Sequence, residues 1–337
     1  MLGRNLLATL GALATLCLAS PMSPRSCSDP EVRKEWRELS KDEKAEYLRA
    51  AVCVRNLPRK AYTNIEALTS RLDDLVYTHN SLNLDIHFVA NFLPWHRWFV
   101  QYHEHLLRDE CGFKGTQPYW DWTIDADRND TKNSPVFDAE TGFGGNGKLT
   151  GSNVPGFERC VLDGPFANTN LTVGIGYPDY NTPGNRLHCF GREFNNAQGK
   201  DDEGVTIIGD MQASAYNSRV MNTIYALQTY NAMSEMLEGL PHAQIHSSMG
   251  GDMVPATSPN EPLFFLHHAN VDRVWAKWQG RNETRLADYS GIKFRNATVP
   301  AHIDDTMPVM RLTEKEPVVR DFMDVQADSL CYTYSSM

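Results

Sequence analysis

The 337-residue sequence predicts a mainly α fold: a four-helix bundle with long irregular loops and a few short strands. Three observations predict it. Segments of helical period carry their own start and stop signals. A Gly-, Asn- and Pro-rich stretch from about residue 127 to 200 shows no sustained period. Six histidines, His79, His87, His96, His242, His246 and His268, lie among aromatic and apolar residues on or beside the helical segments. An imidazole in such company has little reason to face solvent.

The elements follow in chain order. Arg4, the apolar run Leu6 to Leu18 and the small residues that end at Ser20 read as a secretory signal over residues 1–20. About a dozen apolar residues are too few for a bilayer span, which needs about 20. Residues 21–337 are expected to form one domain. Ser40 and Glu43 make a capping box that opens a helix through about Arg55, stopped by Pro58. Thr63 and Glu66 repeat the device, predicting a second helix to about His79. Pro94 suits the start of a third, with His96, Phe99, Val100, His103 and Leu107 on one face and Cys111-Gly112 closing it. Helical pattern returns over Asn217–Glu238, Pro241–Ser247 and Glu261–Trp278. The remaining segments are short and mixed.

The net charge of −10 argues against nucleic acid or an anionic membrane surface as partner. A monomer or weak homo-oligomer is expected. Beyond the leader, Cys27, Cys53, Cys111, Cys160, Cys189 and Cys331 form an even set, which predicts three disulfides in an exported protein. The pairing stays open; Cys27 with Cys331 would tie the two ends together. Sequons at Asn129, Asn170, Asn282 and Asn296 fit glycosylation in a secretory pathway.

The histidines carry the chemistry. His242 and His246, four apart on a helix, share a face and can chelate one ion. The motif reads His-Ala-Gln-Ile-His, without the glutamate base of a zinc protease, so hydrolysis by that route is disfavoured. His268 lies in line with Phe264, Val271 and Trp275, whereas His267 points about 100° away and is expected to support a ligand by a hydrogen bond. Di-iron bundles rely on glutamates that these segments lack. Two three-histidine copper sites fit the donor set best.

At these residues the chain resembles the type 3 copper family of tyrosinases, catechol oxidases and hemocyanins. His79, His87 and His96 with Arg97 are similar to the CuA motif. His242, His246 and Glu261-Pro-Leu-Phe-Phe-Leu-His-His268-Ala-Asn-Val-Asp272-Arg are similar to CuB, and Pro118-Tyr-Trp-Asp-Trp122 is also a family segment. The opening Cys27-Ser-Asp-Pro-Glu resembles short secreted fungal polyphenol oxidases, and Tyr332-Thr-Tyr334 resembles the tyrosine motif that ends the family's catalytic core. The resemblance implies two copper ions, CuA and CuB, bridged by a dioxygen species, with small phenols and O2 as partners. It also implies no C-terminal shielding domain, and so no proteolytic activation.

The departures bear on the reaction. Where many relatives place a cysteine that cross-links to the second CuA histidine, this chain has Asp85, so His87 is expected to be held by packing alone. Relatives that hydroxylate monophenols often place an asparagine after the first CuB histidine, orienting a water together with a glutamate. Here that position is Ala243, and Glu238 is either the glutamate partner or a solvated helix-end charge. An alanine methyl neither donates nor accepts a hydrogen bond. The expected reaction is therefore oxidation of o-diphenols to o-quinones. The alternatives are a tyrosinase or o-aminophenol oxidase, and, from another class, a hemocyanin-like oxygen carrier. Asp272 is expected to orient a ligand or to pair with Arg97 or Arg273. Phe264 and Phe265 are expected against the ligand rings, and Met253–Ser258 where the family places its substrate gate.

Overall fold

The computed structural model describes residues 27–174, 185–195 and 208–337; the expected signal segment lies outside them. Nine helices position the site among the described residues: α1 Lys41–Asn56, α2 Arg71–Ser81, α3 Asn83–Ile86, α4 Phe92–Asp109, α5 Trp122–Ala126, α6 Ser218–Ala226, α7 Tyr230–Leu237, α8 Ala243–Met249 and α9 Phe264–Gln279. Six short strands join them: β1 Glu31–Arg33, β2 Lys148–Leu149, β3 Arg159–Cys160, β4 Asn170–Val173, β5 Asn185–Cys189 and β6 Tyr332–Tyr334. They pair as three two-stranded sheets, β1 parallel to β6, β2 antiparallel to β3 and β4 antiparallel to β5.

Helix α1 begins as expected, with Ser40 and Glu43 exchanging side-chain and backbone hydrogen bonds. Helix α2 does not. Its box is Ser70 with Asp73, and Thr63 to Glu66 lie in an exposed turn before it. The Asn217–Glu238 segment is two helices, because Leu227 is extended and Thr229 caps α7. A wide π-helical turn, Glu238–His242, then carries Pro241, whose missing N–H cannot serve an α-helical bond. Helix α9 starts three residues later than expected, at Phe264.

Helix α4 packs against α9, and ring contacts bring His79 of α2 onto His96, and His242 and His246 onto His268. Trp95, Phe99, Phe264, Trp275 and Trp278 are buried in this core. The long irregular region is pinned by Cys160–Cys189, while Cys53–Cys111 and Cys27–Cys331 tie α1 to the end of α4 and one terminus to the other. No helix among the described residues is long and apolar enough to cross a membrane.

Candidate metal centre

The fold brings the predicted histidines into two adjoining groups. The ligand atoms of His79, His87 and His96 all lie within 4.8 Å of one another, as do those of His242, His246, His267 and His268. His79 comes from the last turn of α2, His87 follows α3, His96 sits in α4, and His242 closes the π-helical turn before His246 in α8. The groups touch: the His96 and His268 rings stack at 4.3 Å.

Backbone carbonyls set the imidazoles. Nδ1 of His79 donates to Ala256 O at 2.7 Å, and that of His87 to Asn83 O at 3.0 Å. His96 donates to Phe92 O at 2.7 Å, His242 to Glu238 O at 3.2 Å, and His246 to Met253 O at 2.6 Å. Each such bond places the proton on Nδ1 and leaves Nε2 as a bare lone pair. His87 is thus held by a hydrogen bond as well as by packing, which the sequence did not indicate.

These lone pairs need a cation. The Nε2 atoms of His79 and His96 face each other at 3.4 Å with no proton to share between them. Nε2 of His242 and of His246 is buried without a partner. Burial drives all the histidines of both groups toward the neutral form, with His87 and His246 lowered to about 4. Neutral, convergent imidazoles with no carboxylate among them suit copper better than a hard cation. His267 and His268 both keep two unpartnered ring nitrogens, so the second group holds four candidate donors where three were expected.

The other expected residues fall as follows. Phe264 packs on the ligand rings, 5.1 Å from His79 and 4.2 Å from His268. Phe265 instead stacks on His103 at 3.6 Å, and His103 bonds Gln117 at 3.0 Å, away from both groups. Asp272 pairs with Arg97 at 2.5 Å and accepts from Tyr332 and Tyr334, rather than orienting a histidine. Arg97 also donates to Phe322 O and Met323 O, and Arg273 pairs with Asp121.

Glu238 is only 3% exposed, which removes its reading as a solvated charge. Its Oε1 accepts from the Phe88 N–H at 2.8 Å, and burial raises its carboxyl to about 8. Phe88 itself is in a left-handed conformation, φ 56°, and the residue is 54% exposed. Ala243 lines a cleft of about 280 Å³ that opens over His79, His87, His242 and His246. Val254, Pro255 and Ala256, from the Met253–Ser258 segment, line it. The cleft also contains Arg295, which sequence reasoning missed because it belongs to no motif. Asn129, Asn170, Asn282 and Asn296 are all exposed.

Comparison with known proteins places this arrangement. Residues 69–281 match the profile of the common central domain of tyrosinase. The chain is 36% identical over 309 residues to tyrosinase ustQ of Aspergillus flavus, covering 91% of this chain and 80% of that one. It is 38% identical over 325 residues to the tyrosinase-like protein phomQ1' of Diaporthe leptostromiformis, covering 92% and 81%. The structure of a polyphenol oxidase variant from Thermothelomyces thermophila superposes with a TM-score of 0.76 at 29% identity, covering 90% of this chain and 88% of that one.

Proposed function

The chain belongs to the tyrosinase family of copper oxidoreductases, and from that premise we propose that it is a secreted catechol oxidase. Two o-diphenols and one O2 become two o-quinones and two waters. The observation that carries this reading is Ala243 in the cleft wall, beside a Glu238 whose Oε1 is already engaged by Phe88 N–H. Ala243 offers no polar atom to hold a water against an incoming monophenol, and Glu238 commits one of its acceptor sites to the Phe88 N–H. An o-diphenol loses its protons more readily and needs less help.

His79, His87 and His96 would hold one copper, and His242, His246 and His268 the other; together the ions supply dioxygen reduction and take up the electrons of the catechol. The protein sets the rest. Five backbone carbonyls orient the imidazoles before any metal arrives, so little reorganisation accompanies binding. Phe264 covers the ligand rings from the core side and excludes water there. The wall from Val254 to Ala256 and the Phe88 ring leave a slot with apolar sides for a phenolic ring. Three disulfides and a leader-like N-terminus support an extracytoplasmic setting.

Copper-loaded protein should hold two coppers per chain, turn catechol into quinone, and give no product from tyrosine. Hydroxylation of tyrosine after a lag would overturn the restriction to diphenols. Full activity in His96→Ala or His242→Ala would overturn the metal assignment.

A further inference from the structure

Arg295 stands at the mouth of the cleft, on an element remote in sequence from either histidine motif. It rides the tip of a turn in which Ile292 bridges to Pro300, Lys293 N–H donates to Val299 O at 2.8 Å and Ala297 N–H to Phe294 O at 3.2 Å. Ile292 O accepts from Ala90 N–H at 2.9 Å, which docks the turn on the loop that carries His87. The guanidinium lies 4.9 Å from the centre of the Phe88 ring. Among the described residues it makes no ion pair. It is the one Lys, Arg, Asp or Glu side chain in the cleft lining among the described residues, in a chain whose net charge is −10. Its charge is felt by Glu238, the buried carboxyl that holds Phe88, but no carboxylate among the described residues comes within ion-pair distance of it. A cation so placed at the entrance of an acidic protein's cleft creates a local field that attracts anions.

We propose that Arg295 is the specificity residue for an anionic substituent, so that the preferred substrates are o-diphenols bearing a carboxylate. This rests on the catechol oxidase reading above. The ring enters between Phe88 and the Val254–Ala256 wall with its hydroxyls toward the histidines, and the carboxylate remains at the mouth. There the planar fork of the guanidinium offers two parallel N–H donors that match a carboxylate. Phe88, fixed by Glu238, holds the guanidinium over its face by a cation–π contact and limits its wandering. Lysine at this position would keep the charge and lose the fork.

Two measurements test it. The first compares kcat/KM for dihydrocaffeic acid with that for its amide. The wild type should favour the acid by about tenfold or more, the size of a charge-assisted hydrogen bond. Arg295→Gln should bring the ratio to within about twofold, Arg295→Lys should fall between, and Arg295→Glu should shift preference toward dopamine. The second measures binding of phenylpropionate and phenylpropionamide, which carry no oxidisable hydroxyl, to the protein as purified, by titration calorimetry. The acid should bind more tightly, and Arg295→Gln should erase the difference. A wild type indifferent to the carboxylate, or an Arg295→Gln variant that keeps the wild-type ratio, overturns the proposal. Should no o-diphenol be oxidised, the catechol oxidase reading fails, and the binding comparison alone decides the role of Arg295.

Discussion

His267 and His268 are neighbours on one helix, and all four of their ring nitrogens are buried without a partner. Their surroundings differ. His268 stacks on His96 and packs against Phe264, between the two histidine groups. His267 stacks on His242 at 5.3 Å, meets His246 edge-on at 5.1 Å and lies 6.5 Å from Trp122, with no ring contact to the first histidine group among the described residues. The ring between the groups is the better third donor. His268→Ala should therefore lose one of two coppers, while His267→Ala keeps both; metal analysis of the purified variants reads the difference, and the opposite result would reassign the ligand. Helical spacing made this distinction legible in the sequence, since adjacent residues diverge by about 100°. It could not reveal that both would be buried and bare. Nor could it show the acceptors at Asn83, Phe92, Glu238, Met253 and Ala256, because a backbone carbonyl leaves no mark in residue identity. Arg295 was hidden for a related reason: its neighbours in space are Phe88 and the histidines, not its neighbours in sequence.

Helix α2 shows what local patterns do and do not settle. Thr63-Asn-Ile-Glu66 satisfies the capping-box pattern, yet the helix begins at Arg71 behind Ser70-Arg-Leu-Asp73. The carboxylate at the third position decides by what it can collect. Asp73 Oδ2 accepts from Thr69 N–H, Thr69 Oγ1, Ser70 N–H and Thr172 Oγ1. Next to it, Asp74 accepts from Lys60, Ala61 and Tyr62 N–H, gathering the preceding loop onto the positive end of the helix. Those donors come from a loop whose path the sequence does not specify, so two equivalent patterns could not be told apart. The consequence is measurable. Ser70→Ala removes one cap acceptor and should cost about 1 kcal/mol. Asp73→Ala strands several buried donors and should cost more, about 2–3 kcal/mol. Urea unfolding of the two variants should show that order, and equal losses would count against Asp73 as the anchor. Because His79 lies in the last turn of α2, the same cap fixes where that imidazole sits. The π-helical turn is the reverse case: Pro241 was visible, but its effect, bringing Glu238 O to His242 Nδ1, depends on a turn width no propensity scale contains.

At the scale of the whole molecule the two ends of the described chain close over α9. Strand β1 pairs in parallel with β6, Cys27 bonds Cys331, and Arg33, Arg97, Tyr332 and Tyr334 converge on Asp272. The helices and the histidine motifs could be read from local spacing; this clamp, joining residues some three hundred positions apart, could not. Its two cations are compensated, Arg97 by Asp272 and Arg33 by Glu104 at 2.5 Å, whereas the bare Nε2 lone pairs of the histidine groups in metal-free protein have no such partner. His79, His87, His96, His103, His242, His246, His267 and His268 all have pKa values depressed by burial, with His87, His103 and His246 lowered to about 4. A free histidine titrates near 6.5. Below that value the unfolded chain takes up protons that the folded chain refuses, so stability falls as pH falls. Each imidazole contributes a slope of up to about 1.4 kcal/mol per pH unit across that window. Glu238 acts with opposite sign. Raised to about 8, it favours the fold below the ordinary carboxyl range and loses that contribution as pH rises toward 8. Burial raises the Glu35 carboxyl as well, so two groups oppose eight, and below about pH 6.5 the histidines dominate. The urea midpoint of metal-free protein should therefore drop steeply between about pH 7 and pH 5. Copper should oppose the drop, because a metal on Nε2 excludes the proton. A midpoint that held steady on acidification would mean that the imidazoles are not buried as a neutral cluster, and the case for a pre-set copper site would fall with it.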